Sequence, residues 1–114
     1  MLNQRFRFHS RGGVRYTYQY GKSIRRPNIT LVHAVNSRDR QRFAVVVSKK
    51  VAKSAVERNR IRRRVYEAIR LVKQEQNFDA KKDNIFIIYA KNVKTMPFTD
   101  LKALISSLLN ESML

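Results

Sequence analysis

The chain has 114 residues, with 25 Lys or Arg against 8 Asp or Glu and a net charge of +17. That length suits one domain with a modest two-layer core, and a hydrophobic fraction of 43% excludes a disordered cationic peptide. With no cysteine, disulfides, cysteine metal sites and thiol catalysis are excluded, and a cytosolic protein is the natural expectation.

In chain order, residues 1–9 read as an extended arm in which Arg5, Phe6, Arg7 and Phe8 alternate charge and ring. The start lacks a hydrophobic signal core. Ser10 is a candidate N-cap for a short helix running to about Tyr20, weakened by Gly12 and Gly13 and ended by Gly21. A further short strand fits Lys22–Arg26. Ile29–Val35 is β-branched and apolar, hence a strand, and Pro27 suits its entry. A turn over Asn36–Gln41 leads to a second strand, Arg42–Ser48, expected as a hairpin partner. A long helix follows from Ser54 or Ala55 to Gln74 or beyond, then a buried strand over Asn84–Ala90. Pro97 fits the first turn of a last helix with Thr95 as its cap, and Leu101, Leu104, Ile105, Leu108 and Leu109 share one face. The elements predict a single α+β domain over residues 1–114, a small, mostly antiparallel sheet with packed helices in the order α-β-β-(β)-α-β-α.

The charge is unevenly placed. Residues 1–64 hold 18 basic and 2 acidic side chains (net +16), and residues 65–114 hold 7 and 6 (net +1). Within Lys49–Arg64 eight cations face one acid, Glu57. Ile61, Val65, Ala68, Ile69 and Val72 form one helical stripe. At about 100° per residue, Asn59, Arg63 and Arg70 face away from it, Arg60 and Arg62 flank it, and Arg58 falls on the apolar side. A rigid element bearing several guanidinium groups suits a phosphate-rich partner, because arginine's planar fork pairs with phosphate and stacks on bases. The plainer reading is a solvated basic face, but few acids at helical spacing balance these arginines. A membrane partner is disfavoured, since no apolar run approaches the roughly 18–20 residues of a spanning helix and the amphipathic stripe is needed for the core.

Other chemistry is sparse. His9 and His33 belong to no common motif, the acids are scattered singly, and no Gly-rich phosphate loop occurs. Tyr16, Tyr18 and Tyr20 lie two apart and cannot share one helical face. They read either as partly packed rings or as a stacking platform for single-stranded RNA. The residues alone thus point to an RNA-binding protein with no catalytic residues and no metal site of its own. A structural RNA binder such as a ribosomal protein remains an alternative, whereas a DNA-binding helix module is disfavoured because strands flank the basic helix.

The strand end Val45-Val46-Val47-Ser48-Lys49-Lys50, followed after a short spacer by Arg58-Asn59-Arg60-Ile61-Arg62-Arg63 opening a helix, resembles the protein subunit of bacterial ribonuclease P. The likeness is strongest over Phe43–Ile69. It implies a sandwich related to a domain of ribosomal protein S5, with a left-handed βαβ crossover through the basic helix in place of the common right-handed one. It further implies contacts of Lys49, Lys50, Lys53, Arg58, Asn59, Arg60, Arg62 and Arg63 with the catalytic RNA. A cleft for the 5′ leader of precursor tRNA is expected at Val14, Tyr16, Tyr18, Val32, His33 and Ser48. Members often carry two aromatics four apart before a glycine. Tyr18 keeps that pattern, Val14 departs from it, and Tyr16 stands near enough to compensate. By the same resemblance the RNA subunit does the hydrolysis. Mg²⁺ is bound mainly by that RNA and the substrate, one protein joins each RNA, and the complex is cytoplasmic.

Overall fold

A computed structural model describes residues 2–8, 11–38, 40–76 and 81–114. Helix α1 (Arg11–Tyr20) precedes strands β1 (Lys22–Arg25), β2 (Ile29–Val35) and β3 (Arg42–Val47). Helix α2 (Ala55–Gln76), strand β4 (Lys82–Ile88) and helix α3 (Phe98–Ser112) follow. This is the α+β architecture expected. The cap predicted at Ser10 lies outside the described residues.

The strands form one sheet in the order β1-β2-β4-β3. The expected β2–β3 hairpin is therefore absent. β4 lies between them, antiparallel to β2 with Leu31 opposite Phe86, and parallel to β3 with Val45 beside Phe86. The reason lies in β4 itself. Its Phe86 and Ile88 pack with α2 and α3, while Ile85 and Ile87 pack on the opposite face. A strand apolar on both faces is stable in the middle of a sheet and a liability at its edge. The Asn36–Gln41 turn is tied to β4 instead of closing a hairpin. Arg42 donates to both Asp83 oxygens at 2.8 and 2.7 Å, Asn36 Nδ2 donates to Asp83 Oδ1 at 2.7 Å, and the Arg42 guanidinium lies 4.8 Å from the Phe8 ring centre. This network also shifts β4 two residues toward the N-terminus from Asn84–Ala90, because Lys82 and Asp83 remain in register with β2.

On one face of the sheet, the α2 stripe (Ile61, Val65, Ala68, Ile69, Val72) is fully buried against Leu31, Phe43, Phe86 and the α3 residues Leu101, Ile105, Leu108 and Leu109. Tyr66, outside the predicted stripe, is buried with them, and Leu104 only partly so. Ser54 Oγ accepts the Val56 N–H at 3.2 Å at the start of α2. For α3 the expected cap is corrected. Pro97 itself occupies the N-cap, with φ −54° and ψ 141°, and no side chain caps the helix. Thr95 instead belongs to the preceding turn, its N–H donating to Asn92 O at 3.2 Å.

On the other face, α1 covers a smaller cluster of Phe8, Val32, Ala44 and Ile85, joined by Val14 and Ile87. The segment expected as an extended arm is held to the body. Gln4–Phe6 forms a 3₁₀ turn, Arg7 bridges to Phe43, and Leu2 and Phe8 are buried. Alternating rings and cations thus serve as anchor and surface on an edge strand's free side. Gly21 is required by crowding: an added Cβ would lie 2.3 Å from Thr17 O and 2.8 Å from His33 O. That contact sets α1 hard against β2.

Replacing Ile61 with Ala should remove about 2–5 kcal/mol of stability in a denaturant titration, because the deleted atoms leave a cavity at the α2–sheet interface. Val56, one turn earlier and 62% exposed, should tolerate Ala with a change within about 0.5 kcal/mol. Equal losses would contradict the orientation of α2.

Candidate nucleic-acid interface

The cations of the basic run divide by what they touch. Arg64 Nη1 donates to Val93 O at 2.8 Å and its Nη2 to Met96 O, fastening α2 to the turn before α3. Arg58 Nη1 donates to Ala52 O at 3.0 Å and Lys53 O at 2.8 Å, closing the loop that enters α2. These two arginines hold the fold. Lys49, Lys50, Lys53, Arg60 and Arg63 make no side-chain hydrogen bond or ion pair among the described residues. The one acid of the run is hydrogen-bonded elsewhere: Glu57 accepts from Lys94 Nζ at 2.8 Å, and that bond first, then the ammonium charge and lastly the more distant Arg60 charge, lowers its carboxyl from the ordinary range. Further along, the Arg70 guanidinium foremost brings Glu67 down to about 2, so Arg70 is a paired member of the outward face.

Two hollows flank α2. One, of about 610 Å³, is lined by Arg7, Val45, Val56, Asn59, Arg62, Arg63 and Tyr66. It gathers three of the predicted residues and adds Arg7, whose guanidinium stacks 5.5 Å from the Tyr66 ring centre. Arg62 Nη2 donates to Asn59 Oδ1, which orients both side chains toward the hollow. The other, of about 450 Å³, places Lys50 and Lys53 with Lys91 and Lys94 around the start of α2. Sequence reasoning missed Arg7, Lys91 and Lys94. The Arg5–Phe8 alternation was the signal for Arg7, while the lysines arrive from a turn some 40 residues away and carry no local mark.

The residues expected in one cleft do not all meet. Val14 packs with Phe8, Val32, Ala44 and Ile85 on the α1 face of the sheet. Tyr18, one turn on, is half-exposed, and burial raises its phenol from the ordinary value. Val32 and His33 alternate across β2, so only Val32 faces α1. The partner of Val32 on that face is Thr30, whose hydroxyl donates to the Tyr89 hydroxyl at 3.1 Å. Tyr16 also parts from Tyr18. With Tyr20 and His33 it lines a third hollow at the far end of α1. Ser48 follows β3 directly, and its carbonyl accepts the N–H groups of Val51 and Ala52 at 3.1 and 3.3 Å.

Burial first, then the charges of Lys82 and Lys22, lower the His33 imidazole from its ordinary value. Among the described residues no group of three or more His, Asp or Glu could hold a metal ion. No described helix is long and apolar enough to cross a membrane. A base held below its ordinary pKa binds fewer protons folded than unfolded, so stability is retained above about pH 6.5 and falls as pH drops through that value toward the folded pKa. Melting temperatures at pH 8 and pH 5.5 should therefore differ less for His33→Gln than for the parent. An unchanged difference would show that the fold does not hold the His33 imidazole below its ordinary value.

The chain matches the family model for ribonuclease P over residues 2–112. It is 34% identical over 113 residues to the ribonuclease P protein component of Chloroflexus aurantiacus, covering 99% of this chain and 82% of the relative. The corresponding component of Syntrophus aciditrophicus is 35% identical over 99 residues, 87% of this chain and 80% of the relative. In fold it is similar to the ribonuclease P protein of Thermotoga maritima (TM-score 0.79, 22% identity, 92% and 96% of the two chains). The Staphylococcus aureus protein superposes with a TM-score of 0.74 at 22% identity, over 93% and 94% of the two chains. A basic helix opened by Arg58-Asn59-Arg60, carried on this sheet and matched along nearly its whole length, belongs to the ribonuclease P family, as the protein subunit of that tRNA-processing endoribonuclease.

Proposed function

We propose that the chain binds the catalytic RNA of ribonuclease P through the outward face of α2 and the loop before it, and holds the 5′ leader of precursor tRNA in the groove between α1 and the sheet. The observation that carries this reading is the set of cations that no acid pairs with at hydrogen-bond distance among the described residues. Arg60 and Arg63 project from an element whose other face is immobilised in the core, and Lys49, Lys50 and Lys53 stand on the loop that leads into it. Arg62 and Asn59 add a fork and an amide beside them. Such a surface exchanges condensed counter-ions for fixed charge and gains affinity that depends on salt.

In this reading the protein contributes position and charge. Phosphates of the catalytic RNA lie against α2, while an unpaired leader base stacks on Tyr18 with Val14, Thr30 and Val32 beneath it. Valine at position 14 narrows the aromatic platform to one ring. Mg²⁺, held mainly by the RNA subunit and the substrate, supplies the hydrolytic chemistry, and the cations of α2 reduce the repulsion between two RNA molecules brought together around it. One protein per RNA in the cytoplasm completes the proposal.

Replacing Arg60 and Arg62 together with Ala should leave the melting temperature unchanged. The plot of log K against log salt for ribonuclease P RNA should become shallower by between one and two, at about 0.7–0.9 per lost phosphate contact. An unaltered slope and affinity would reject α2 as the contact. Tyr18→Ala should weaken precursor tRNA binding by roughly 1–3 kcal/mol and spare mature tRNA, which lacks the leader. Tyr18→Phe should bind as the parent does, because the ring face makes the contact. Equal losses for both RNAs would remove the leader from this groove.

A further inference from the structure

The hollow at the far end of α1 belongs to neither surface described above. It encloses about 620 Å³ between α1, the β1–β2 pair and the end of α3, within the range of roughly 300–1,000 Å³ typical of small-ligand sites. Much of the large exposed apolar surface of the described residues collects here: Tyr16, Tyr20, Val35, Met113 and Leu114 all line it. The Tyr16 and Tyr20 rings, four residues apart, lie 4.8 Å centre to centre at 44° and are 52% and 64% exposed. They stand on the side of α1 opposite Val14 and Tyr18.

The polar side chains of the hollow are cationic or neutral, apart from Glu111, which is engaged by Arg26 at 2.9 Å. Lys22 and Lys82 stand on its wall, and Lys82 Nζ donates to Ser112 O at 2.7 Å with two N–H groups remaining. His33 is only 8% exposed, lines the hollow, and makes no side-chain hydrogen bond among the described residues. Its ring is open to the hollow and free to pair with a group that enters it.

We propose that this hollow is a second single-stranded RNA contact that receives one unstacked nucleotide: its base against Tyr20 and Tyr16, its phosphate between Lys22 and Lys82, and its edge hydrogen-bonded by His33. Aromatic faces accept any base, and aromatic stacking beside a cationic wall is how unpaired RNA is held. Charge selects this occupant over a second copy of the chain, since two bodies of +17 repel. The assignment rests on the chain being an RNA-binding subunit, yet it is separate from the α2 surface and from the Tyr18 groove.

The test uses the full chain and a single-stranded RNA pentamer carrying 4-thiouridine, irradiated and mapped by mass spectrometry. Adducts are expected on Tyr16, Tyr20 or His33. They should survive in the Arg60→Ala/Arg62→Ala variant and vanish in Tyr16→Ala/Tyr20→Ala, with about a tenfold loss of pentamer affinity. Both tyrosines are exposed. Should their joint replacement lower the melting temperature, Lys22→Ala at the exposed rim should still weaken the pentamer, and an unchanged affinity there would overturn the proposal. Adducts confined to α2 and Tyr18, with unchanged binding by the tyrosine variant, would overturn the second site and leave the RNA-binding reading standing. Absence of any salt-dependent binding to the pentamer or to ribonuclease P RNA would overturn both. Displacement of the pentamer by an acidic tyrosine-containing peptide at equal affinity would give the hollow to a protein partner and overturn the RNA assignment.

Discussion

Everything displayed by α2 depends on how its apolar stripe is seated. Ile61, Val65, Ala68, Ile69 and Val72 are each at most 1% exposed against the sheet and α3, so the helix cannot roll without opening the core. At about 25 cal/mol per Å² of apolar surface, burial on this scale outweighs the few tenths of a kcal/mol that mutual repulsion among surface arginines costs. Arg64 and Arg58 add backbone contacts at either side of the first turns. A strongly cationic helix is thus held at one angle, and its remaining charges point where the fold puts them.

The same seating explains why the two sides of the molecule differ. β4 is apolar on both faces and takes the centre, with α2 and α3 covering most of one side. The other side receives only the ten-residue α1 and Phe8. That partial cover leaves Val46 and Tyr18 in contact with solvent beside a packed floor of Val32, Ala44 and Ile85. A groove with an apolar floor and a basic element nearby is the physical consequence, and α1, pressed on β2 at Gly21, separates it from the hollow at Tyr16 and Tyr20.

Much of this was legible in the sequence where the pattern is local. The stripe of α2 follows from its spacing, and the strands at Ile29–Val35 and Arg42–Val47 from their β-branched runs. Pairing was less legible, because a short turn between β2 and β3 suggests a hairpin, and only the two-faced apolarity of β4 argues for its insertion between them. The face of His33 depends on strand register, where a shift of one residue exchanges the two sides of a sheet; placing it with Val32 ignored that alternation. The division of the arginines was not legible at all. Arg58, Arg60, Arg63 and Arg64 are alike in sequence, and only the carbonyls of Ala52, Lys53, Val93 and Met96, brought near by folding, set two of them apart. The wheel placed Arg58 on the apolar side, and the loop carbonyls are what it finds there.

Family membership gives this chain a part in tRNA maturation with an RNA partner, and the proposed role is to place fixed charge and a stacking ring beside that partner. The most direct measurement is cleavage of precursor tRNA by a bacterial ribonuclease P RNA at low Mg²⁺, with and without the purified chain. The account predicts that leader removal is slow with RNA alone, accelerates strongly when the chain is added, and does not occur with the chain alone. Unchanged cleavage by the RNA on adding the chain, or leader removal by the chain without RNA, would contradict it.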